Sequence, residues 1–398
     1  MTRRLATIQK ILDIQNVPNS DKLDVCTILG WKCVVGRGEY KVGDLIVYFE
    51  IDSVLPELSE FEFLRERCFV DNGIVRGFRL RTIKLRGQFS QGLVMPLNIL
   101  EGKKFTNDSR ENPTYEFNEG DEVTKLIGVI QFERPIPAYL AGKVKGDFPS
   151  FIPKSDETRV QVLQELLTEY KGTPCYVTEK IDGTSCTMFY RDREFGVCSR
   201  NLELAKEDTT FHERKRYAKN GNGKYQELTE NGDLIGEELN ELPPIEKVSE
   251  NIYWKMAREY DIENKLQKLG RKIALQGEIY GEGLQKNPLG IKGQKWAIFS
   301  IYDIAEQRYL SIGEMEPLLI KLSLDFVPMV TTNLILNDNI DELVEMAKGN
   351  SVINPKRKRE GIVIRPLDYI QNNNYSEVCK AGRISFKAIN PEYLLENE

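Results

Sequence analysis

Along the first third of the chain, apolar residues come in short runs cut by glycine and charged turns: "CTILGWKCVVG", "GDLIVYFEID", "GFRLRTIKLRG" and "SQGLVMPL". Several short strands at such spacing predict a small barrel or sandwich. Within "RLRTIKLRGQ" the period is two. Arg79, Arg81, Ile83 and Leu85 fall on one side, and Leu80, Thr82, Lys84 and Arg86 on the other, as at a barrel strand whose ends leave the core. The pattern stops in "ERPIPAYLAGKVKGDFPSFIPKSDE", where Pro135, Pro137, Pro149, Pro153, Gly142 and Gly146 oppose regular structure and mark a linker. Next, "SDETRVQVLQELLTEYKG" predicts a helix with Ser155 or Asp156 as its cap, apolar residues at 160, 163, 166 and 167, and Gly172 just past its end. The remainder mixes strands ("KIALQGEIYG", "KWAIFSIYDI", "EGIVIRPL") with helices around residues 251–268 and 312–322. No regular β-helix-β rhythm appears, so antiparallel α+β is expected rather than a doubly wound sheet. The expected division is 1–134, a linker over 135–153, and 154–398.

Composition narrows the class. The 398 residues, 40% apolar and 29% charged, suit two soluble globular domains. No apolar run approaches the roughly 18 residues of a membrane span, and the start "MTRRLATIQKILDIQNV" is too polar for a secretory signal. The seven cysteines form no C-x-x-C pair. They read as reduced thiols of a cytoplasmic protein, with neither a disulfide framework nor a zinc site. The single histidine, His212, lies in a polar stretch and reads as a surface residue, so chemistry resting on histidine is nearly excluded. Net charge is −6, yet Arg65, Arg67, Arg76, Arg79, Arg81, Lys84 and Arg86 crowd one short stretch against only Glu66 and Asp71. Such a concentration suits a phosphate-binding face. A five-stranded OB barrel can carry it on its open side.

The strand-like run "YVTEKIDGTSCTMFY" holds Lys180 and Asp182 two residues apart, followed by Gly183. In a strand they would share one wall. An amine acts as a nucleophile only when unprotonated, and free lysine titrates near 10.4. Burial or a bound metal ion favours the neutral form. Gly183 permits a tight turn and close backbone approach to a ligand. Alone, K-x-D-G has a bland reading as a strand-end salt bridge. Other charges sit in apolar strands as well: Glu278 in "ALQGEIYGEG", Glu360 in "KREGIVIRP", Lys387 in "RISFKAINP", and Asp303 closing "AIFSIYDI". Buried charges are costly unless paired with each other, a metal or a ligand. Two lysines and two glutamates therefore suggest one pocket, the lysines facing phosphates and the carboxylates a divalent metal.

The ordered set Lys180-Ile-Asp-Gly, Ser199-Arg200, Gly277-Glu278-Ile-Tyr, "AIFSIYDI", Glu360-Gly-Ile-Val-Ile-Arg and "SFKAIN" resembles the motifs of covalent nucleotidyltransferases: ATP-dependent DNA and RNA ligases and mRNA capping enzymes. "GEGLQKNPLG" looks like RNA ligases of the RNA ligase 2 type. "RTIKLRGQFSQGLVMP" and "FPSFIPKSDETR" look like their subgroup with an amino-terminal OB domain. Eleven residues follow Lys387, where DNA ligases and capping enzymes carry their OB domain. The accessory barrel is thus expected in the first half.

The resemblance implies an amino-terminal OB-type barrel followed by an antiparallel α+β nucleotidyltransferase (ATP-grasp-like adenylation) domain. It implies an enzyme using ATP and Mg2+ (or Mn2+) to join RNA 3′-hydroxyl and 5′-phosphate ends, at nicks or breaks, in RNA repair. The intermediates would be lysyl-AMP and RNA-adenylate. On this reading Lys180 is the nucleophile, Asp182 and Glu360 serve the metal, and Glu278 accepts from a ribose hydroxyl. Arg159, Glu179, Arg200, Phe299 and Lys387 would also contact the nucleotide. Arg79, Arg81, Lys84 and Arg86 would bind RNA. Membrane association and an obligatory protein partner are not expected. The family's last motif carries K-x-K, and here one lysine is missing, with Lys380 or Arg383 as substitutes. Rival readings are another covalent nucleotidyltransferase, such as a DNA ligase or a GTP-using enzyme, and an inactive RNA-binding protein acting through its OB domain.

Overall fold

The computed structural model describes residues 3–18, 20–73, 75–105, 108, 115–132, 143–206, 216–228, 233–241 and 251–397. His212 and the prolines at 135 and 137 lie outside these.

The amino-terminal part is built from short antiparallel strands, as its patterning predicts. Ala6–Lys10, Leu45–Phe49 and Leu93–Pro96 form one sheet with Leu45–Phe49 in the centre. Asp13–Asn16, Leu23–Ile28 and Trp31–Gly36 form a meander. Ser53–Leu55, Phe69–Asp71, Arg76–Arg79 and Ile130–Gln131 form a third sheet, and Thr82–Leu85 with Gln88–Gln91 a separate hairpin. Ile8, Val47, Phe49, Leu55, Phe61 and Phe78 pack between them. The stretch "RLRTIKLRGQ" is two strands rather than one. Arg79 ends the first, and Lys84 stands on the hairpin whose turn holds Arg86 at φ +51°.

The carboxy-terminal part has two main sheets, almost wholly antiparallel. The larger runs, in spatial order, Val144–Asp147, Leu202–Leu204, Glu194–Cys198, Thr184–Arg191, Ile273–Gly281, Gln294–Asp303 and Arg308–Tyr309. The other runs Thr158–Arg159, Phe386–Ile389, Gly361–Pro366, Pro174–Lys180 and Met329–Ile335. Helices Ile252–Glu259, Ile262–Leu269 and Ile312–Leu322 bury Met256, Leu266 and Met315 in a core with Leu275 and Ile298 of the larger sheet. Helices Gln164–Glu169 and Ile340–Ala347 bury Leu166 and Leu343 with Val177 and Ile364 of the smaller one. No helix among the described residues is long and apolar enough to cross a membrane.

Two expectations need correction. Val144–Asp147, inside the expected linker, is an edge strand paired with Leu202–Leu204, because its alternating exposed backbone finds a free sheet edge. The helix expected from residue 155 begins only at Gln164. Before it, Thr158–Arg159 pairs in parallel with Phe386–Lys387, followed by a 3-10 turn over Val160–Val162. The β-branched residues at 158, 160 and 162 favour extended chain. An available sheet edge outweighed the helical spacing, so neither Ser155 nor Asp156 caps a helix.

The two parts share a core. Ile11, Cys26, Ile28, Trp31 and Tyr48 pack with Ile389 and Leu394 from the far end of the chain. At the same junction the Gly30 backbone donates to the Gln161 carbonyl.

Candidate active site

The strand-like run "YVTEKIDGTSCTMFY" is not one strand. Pro174–Lys180 belongs to the smaller sheet and Thr184–Arg191 to the larger. The turn Ile181–Gly183 carries the chain between them, so Asp182 lies on that turn rather than on a shared strand wall. Gly183 makes the crossing possible. A Cβ there would sit 2.1 Å from the Ile279 carbonyl oxygen, closer than atoms can approach. Gly183→Ala is therefore expected to cost about 1–3 kcal/mol of stability by forcing the turn outward. It should also slow any chemistry at Lys180. Thermal denaturation alongside an activity assay checks both.

Register then assembles the charges. Lys180 pairs with Gly361, placing Glu360 at its side. The Lys180 Nζ donates to both Glu360 oxygens, at 2.6 and 2.7 Å. Burial alone would push Lys180 down, but the Glu360 and Glu278 carboxylates hold it above the ordinary lysine value. In this state the amine is a protonated ion-pair partner, not a nucleophile. Glu278 stands opposite Ser185 and Ala297 in the larger sheet. It has no ion-pair partner among the described residues. Burial pushes its carboxyl up to about 8, Lys180 opposing and Glu360 and Asp182 reinforcing the rise. Lys387 is pushed the other way, down to about 7, by burial and then by the charges of Lys180 and Arg159.

Arg159 neighbours Lys387 by parallel register. Its guanidinium bonds Asp52 of the amino-terminal part at 3.1 Å and lies 5.6 Å from the Trp31 ring, while its Nη1 is buried without a hydrogen-bond partner. Arg3 and Arg79 also approach Asp52, at 3.1 and 3.7 Å. One lysine of the last motif's K-x-K is missing here. Ile389 is buried in the core between the two parts. Arg383 is spent elsewhere, bonding Ser300 at 2.8 Å and lying 4.1 Å from the Tyr309 ring. The cations beside Lys387 are Lys180 and Arg159.

Phe299 owes its orientation to a bulge. Gln276 pairs with Ser300 and Gly277 with Ile298, so Phe299 is the extra residue, re-aimed by the local kink. It packs partly with Ile181 and Ala297. It also lines a small cleft with Gln276, Ser300, Tyr309, Lys380 and Arg383. The Gln276 Oε1 is buried there without a hydrogen-bond partner. Arg365 anchors this wall, donating to Ser385 at 2.9 Å, to Glu157 at 3.0 Å and to the Phe299 carbonyl at 3.2 Å. A buried arginine inside the apolar run "EGIVIRP" is the sequence signal of this anchor. Arg200 pairs with Asp156 at 3.0 Å.

Several expected residues lie apart from this group. The Glu179 carboxylate is tied to a loop, accepting from the Val352 backbone at 2.6 Å. Asp303 caps a turn, accepting from Ala305 and Glu306 and pairing with Arg271 at 2.7 Å. The basic stretch is also less free than its composition implies. Arg65 pairs with Glu57 and Glu62, Arg76 with Glu57 and Asp71. Arg79 is buried against Phe132, 3.8 Å from the ring, and Arg81 is half-buried. Lys84 and Arg86 are exposed at the hairpin, without a carboxylate at ion-pair distance among the described residues.

Comparison with known proteins agrees with this geometry. An OB-fold domain family matches residues 5–97 and an RNA ligase family residues 173–389. A comparison with curated protein sequences gave no match. Among solved structures, a Naegleria gruberi RNA ligase mutant with AMP and Mn is 34% identical over 99% of each chain, with a TM-score of 0.77. A mutant of the same ligase with ATP and Mn is 34% identical over 98% of each chain, TM-score 0.76. An apo mutant gives 34%, 99% of this chain, 98% of that one, and 0.77. An OB-fold domain followed by an antiparallel α+β catalytic domain, matched over nearly its whole length, leaves one assignment: this chain belongs to the RNA ligase family.

Proposed function

We propose that this RNA ligase consumes ATP and joins RNA 3′-hydroxyl and 5′-phosphate ends, at nicks or breaks, through lysyl-AMP at Lys180 and an RNA-adenylate. The observation that carries it is the buried cluster in which Lys180, bonded to Glu360, meets Glu278 of the other sheet and Lys387, with Arg159 beside Lys387 in register.

The first step forms a bond from the Lys180 nitrogen to the α-phosphorus and breaks the bond to pyrophosphate, which leaves with the electron pair. Lys180 must lose its proton first, and the Glu360 contact that now holds the proton must loosen. AMP then passes to the RNA 5′-phosphate, and the 3′-hydroxyl displaces it. Positioning and electrostatics dominate such transfers. Lys387 and Arg159 would hold phosphate oxygens, Glu278 a ribose hydroxyl, Arg200 ribose or RNA phosphate, and Phe299 the adenine face.

Among the described residues, no group of three or more acidic, thiol or imidazole side chains could cage an ion alone. That suits Mg2+ or Mn2+, which is commonly held by one or two carboxylates together with substrate phosphates. Glu360 and Asp182 fit, since with Glu278 they gather three carboxylates around Lys180, and burial followed by the charges of Glu360 and Asp182 pushes Glu278 up to about 8. Bound there, the ion would neutralise phosphate charge and lower the Lys180 pKa.

Incubating the protein with Mg2+ and ATP labelled at the α-phosphate, then chasing with nicked RNA, tests the reading. Label should stay with the denatured protein, return to ATP with pyrophosphate, and pass through RNA to free AMP. Label that never reaches RNA but reaches DNA would make this a different nucleotidyltransferase. RNA contact falls to the hairpin. Lys84→Ala with Arg86→Ala should weaken nick binding and flatten its salt dependence by about one unit of slope per lost phosphate contact. Lysine adenylylation should be unchanged. Binding measured across a salt series decides it.

A further inference from the structure

Asp182 sits on the crossing turn, and its Oδ2 accepts a hydrogen bond of 2.7 Å from the hydroxyl of Tyr393. Tyr393 is 4% exposed and belongs to the helix Pro391–Asn397 that follows the last sequence motif. Nothing in the motif series pointed to it.

That helix is fixed from three sides. The Asn390 side chain donates to the Arg359 carbonyl at 3.1 Å and accepts from the Glu392 backbone at 3.0 Å, while its own backbone donates to the Glu360 carbonyl at 2.9 Å. Lys358 pairs with Glu392 and Glu396 at 3.1 and 2.6 Å. One residue beyond Tyr393, Leu394 enters the core formed with Trp31 and Tyr48 of the amino-terminal domain. The helix therefore touches the Glu360 segment, the amino-terminal domain and, through one hydroxyl, the K-x-D-G turn.

We propose that Tyr393 is a positioning residue for Asp182, committing Oδ2 and leaving Oδ1 as the oxygen that serves the metal or its water. A carboxylate on a turn has two rotatable bonds, and a buried phenol donating to one oxygen selects a single orientation. Partners of this kind around metal-binding carboxylates sharpen affinity.

This inference rests on the proposed role of Asp182, and the test separates the two. Tyr393→Phe, Asp182→Asn and the double variant are prepared in the full chain. Mn2+ affinity is measured by electron paramagnetic resonance, the Mg2+ dependence of lysine adenylylation by single-turnover labelling, and melting temperature without metal. Tyr393→Phe should weaken Mn2+ binding and raise the half-saturating Mg2+ concentration by about tenfold, with melting unchanged. The double variant should be no worse than Asp182→Asn alone. Unchanged metal dependence in Tyr393→Phe, with Asp182→Asn impaired, overturns the inference and spares the reading of the site. Additive losses in the double variant, or a loss that tracks a lowered melting temperature with Mn2+ affinity intact, overturn it too. An unimpaired Asp182→Asn overturns both.

Discussion

Replacing Lys180 with alanine is expected to abolish covalent labelling by α-labelled ATP completely, because it removes the amine proposed to form the nitrogen–phosphorus bond, while Lys387 stays a phosphate contact. Lys180→Arg should be equally silent. A guanidinium retains the charge toward Glu360 but does not deprotonate in proteins. The stripped Glu360 of the alanine variant can take up a proton instead of carrying an unpaired buried charge, so the fold should survive. Joining of an RNA nick already carrying 5′-adenylate does not need the amine and should persist in both variants. Denaturing electrophoresis of labelled protein, beside a sealing assay on pre-adenylated RNA, checks the two halves separately. Labelled Lys180→Ala would move the nucleophile elsewhere, and the proposed mechanism would fall.

Glu360→Gln sets two effects against each other. Without the carboxylate, burial is left to act on Lys180, whose pKa should fall, so more amine is neutral at a given pH. That alone would speed the first step. Against it stands the loss of a charged group at the phosphate-transfer site, for which removal of one electrostatic stabiliser typically costs about 10²–10³-fold. The second effect should win at neutral pH, and adenylylation should drop by about that factor. The first should remain visible in the pH profile. Residual activity should rise toward its plateau at lower pH than in the wild type, because the amine deprotonates earlier. Single-turnover labelling across pH gives both numbers. A profile shifted to higher pH would mean that Glu360 does not hold the proton on Lys180.

The chemistry-bearing residues were legible because buried charge is rare and costly. Glu278 and Lys387 interrupt apolar strands, while Lys180 ends one and Glu360 directly precedes another, and nothing in strand periodicity would put them there. The sheet class was legible for a related reason: alternation and strand length survive as local patterns in "KIALQGEIYG" or "KWAIFSIYDI". Where local signals competed with a distant partner, the sequence misled. Thr158 and Arg159 carry helical spacing but lie on a strand, because the edge beside Phe386 and Lys387 was free to receive them. Val144–Asp147 resembles linker and became an edge strand for the same reason.

What the sequence alone determined is thus an inventory: two parts, short antiparallel strands, and a set of lysines and carboxylates with no place in an apolar core. Pairing was decided only in three dimensions. Arg65 and Arg76 are neutralised by Glu57 from outside the basic stretch, leaving Arg67, Lys84 and Arg86 as its exposed cations without an ion pair among the described residues. Arg159 became the companion of Lys387, and Asp182 came to rest under Tyr393, 211 residues along the chain. A charge shows in sequence because its desolvation cost belongs to the residue itself. Its partner does not, because the gain belongs to a distance that only the folded chain sets.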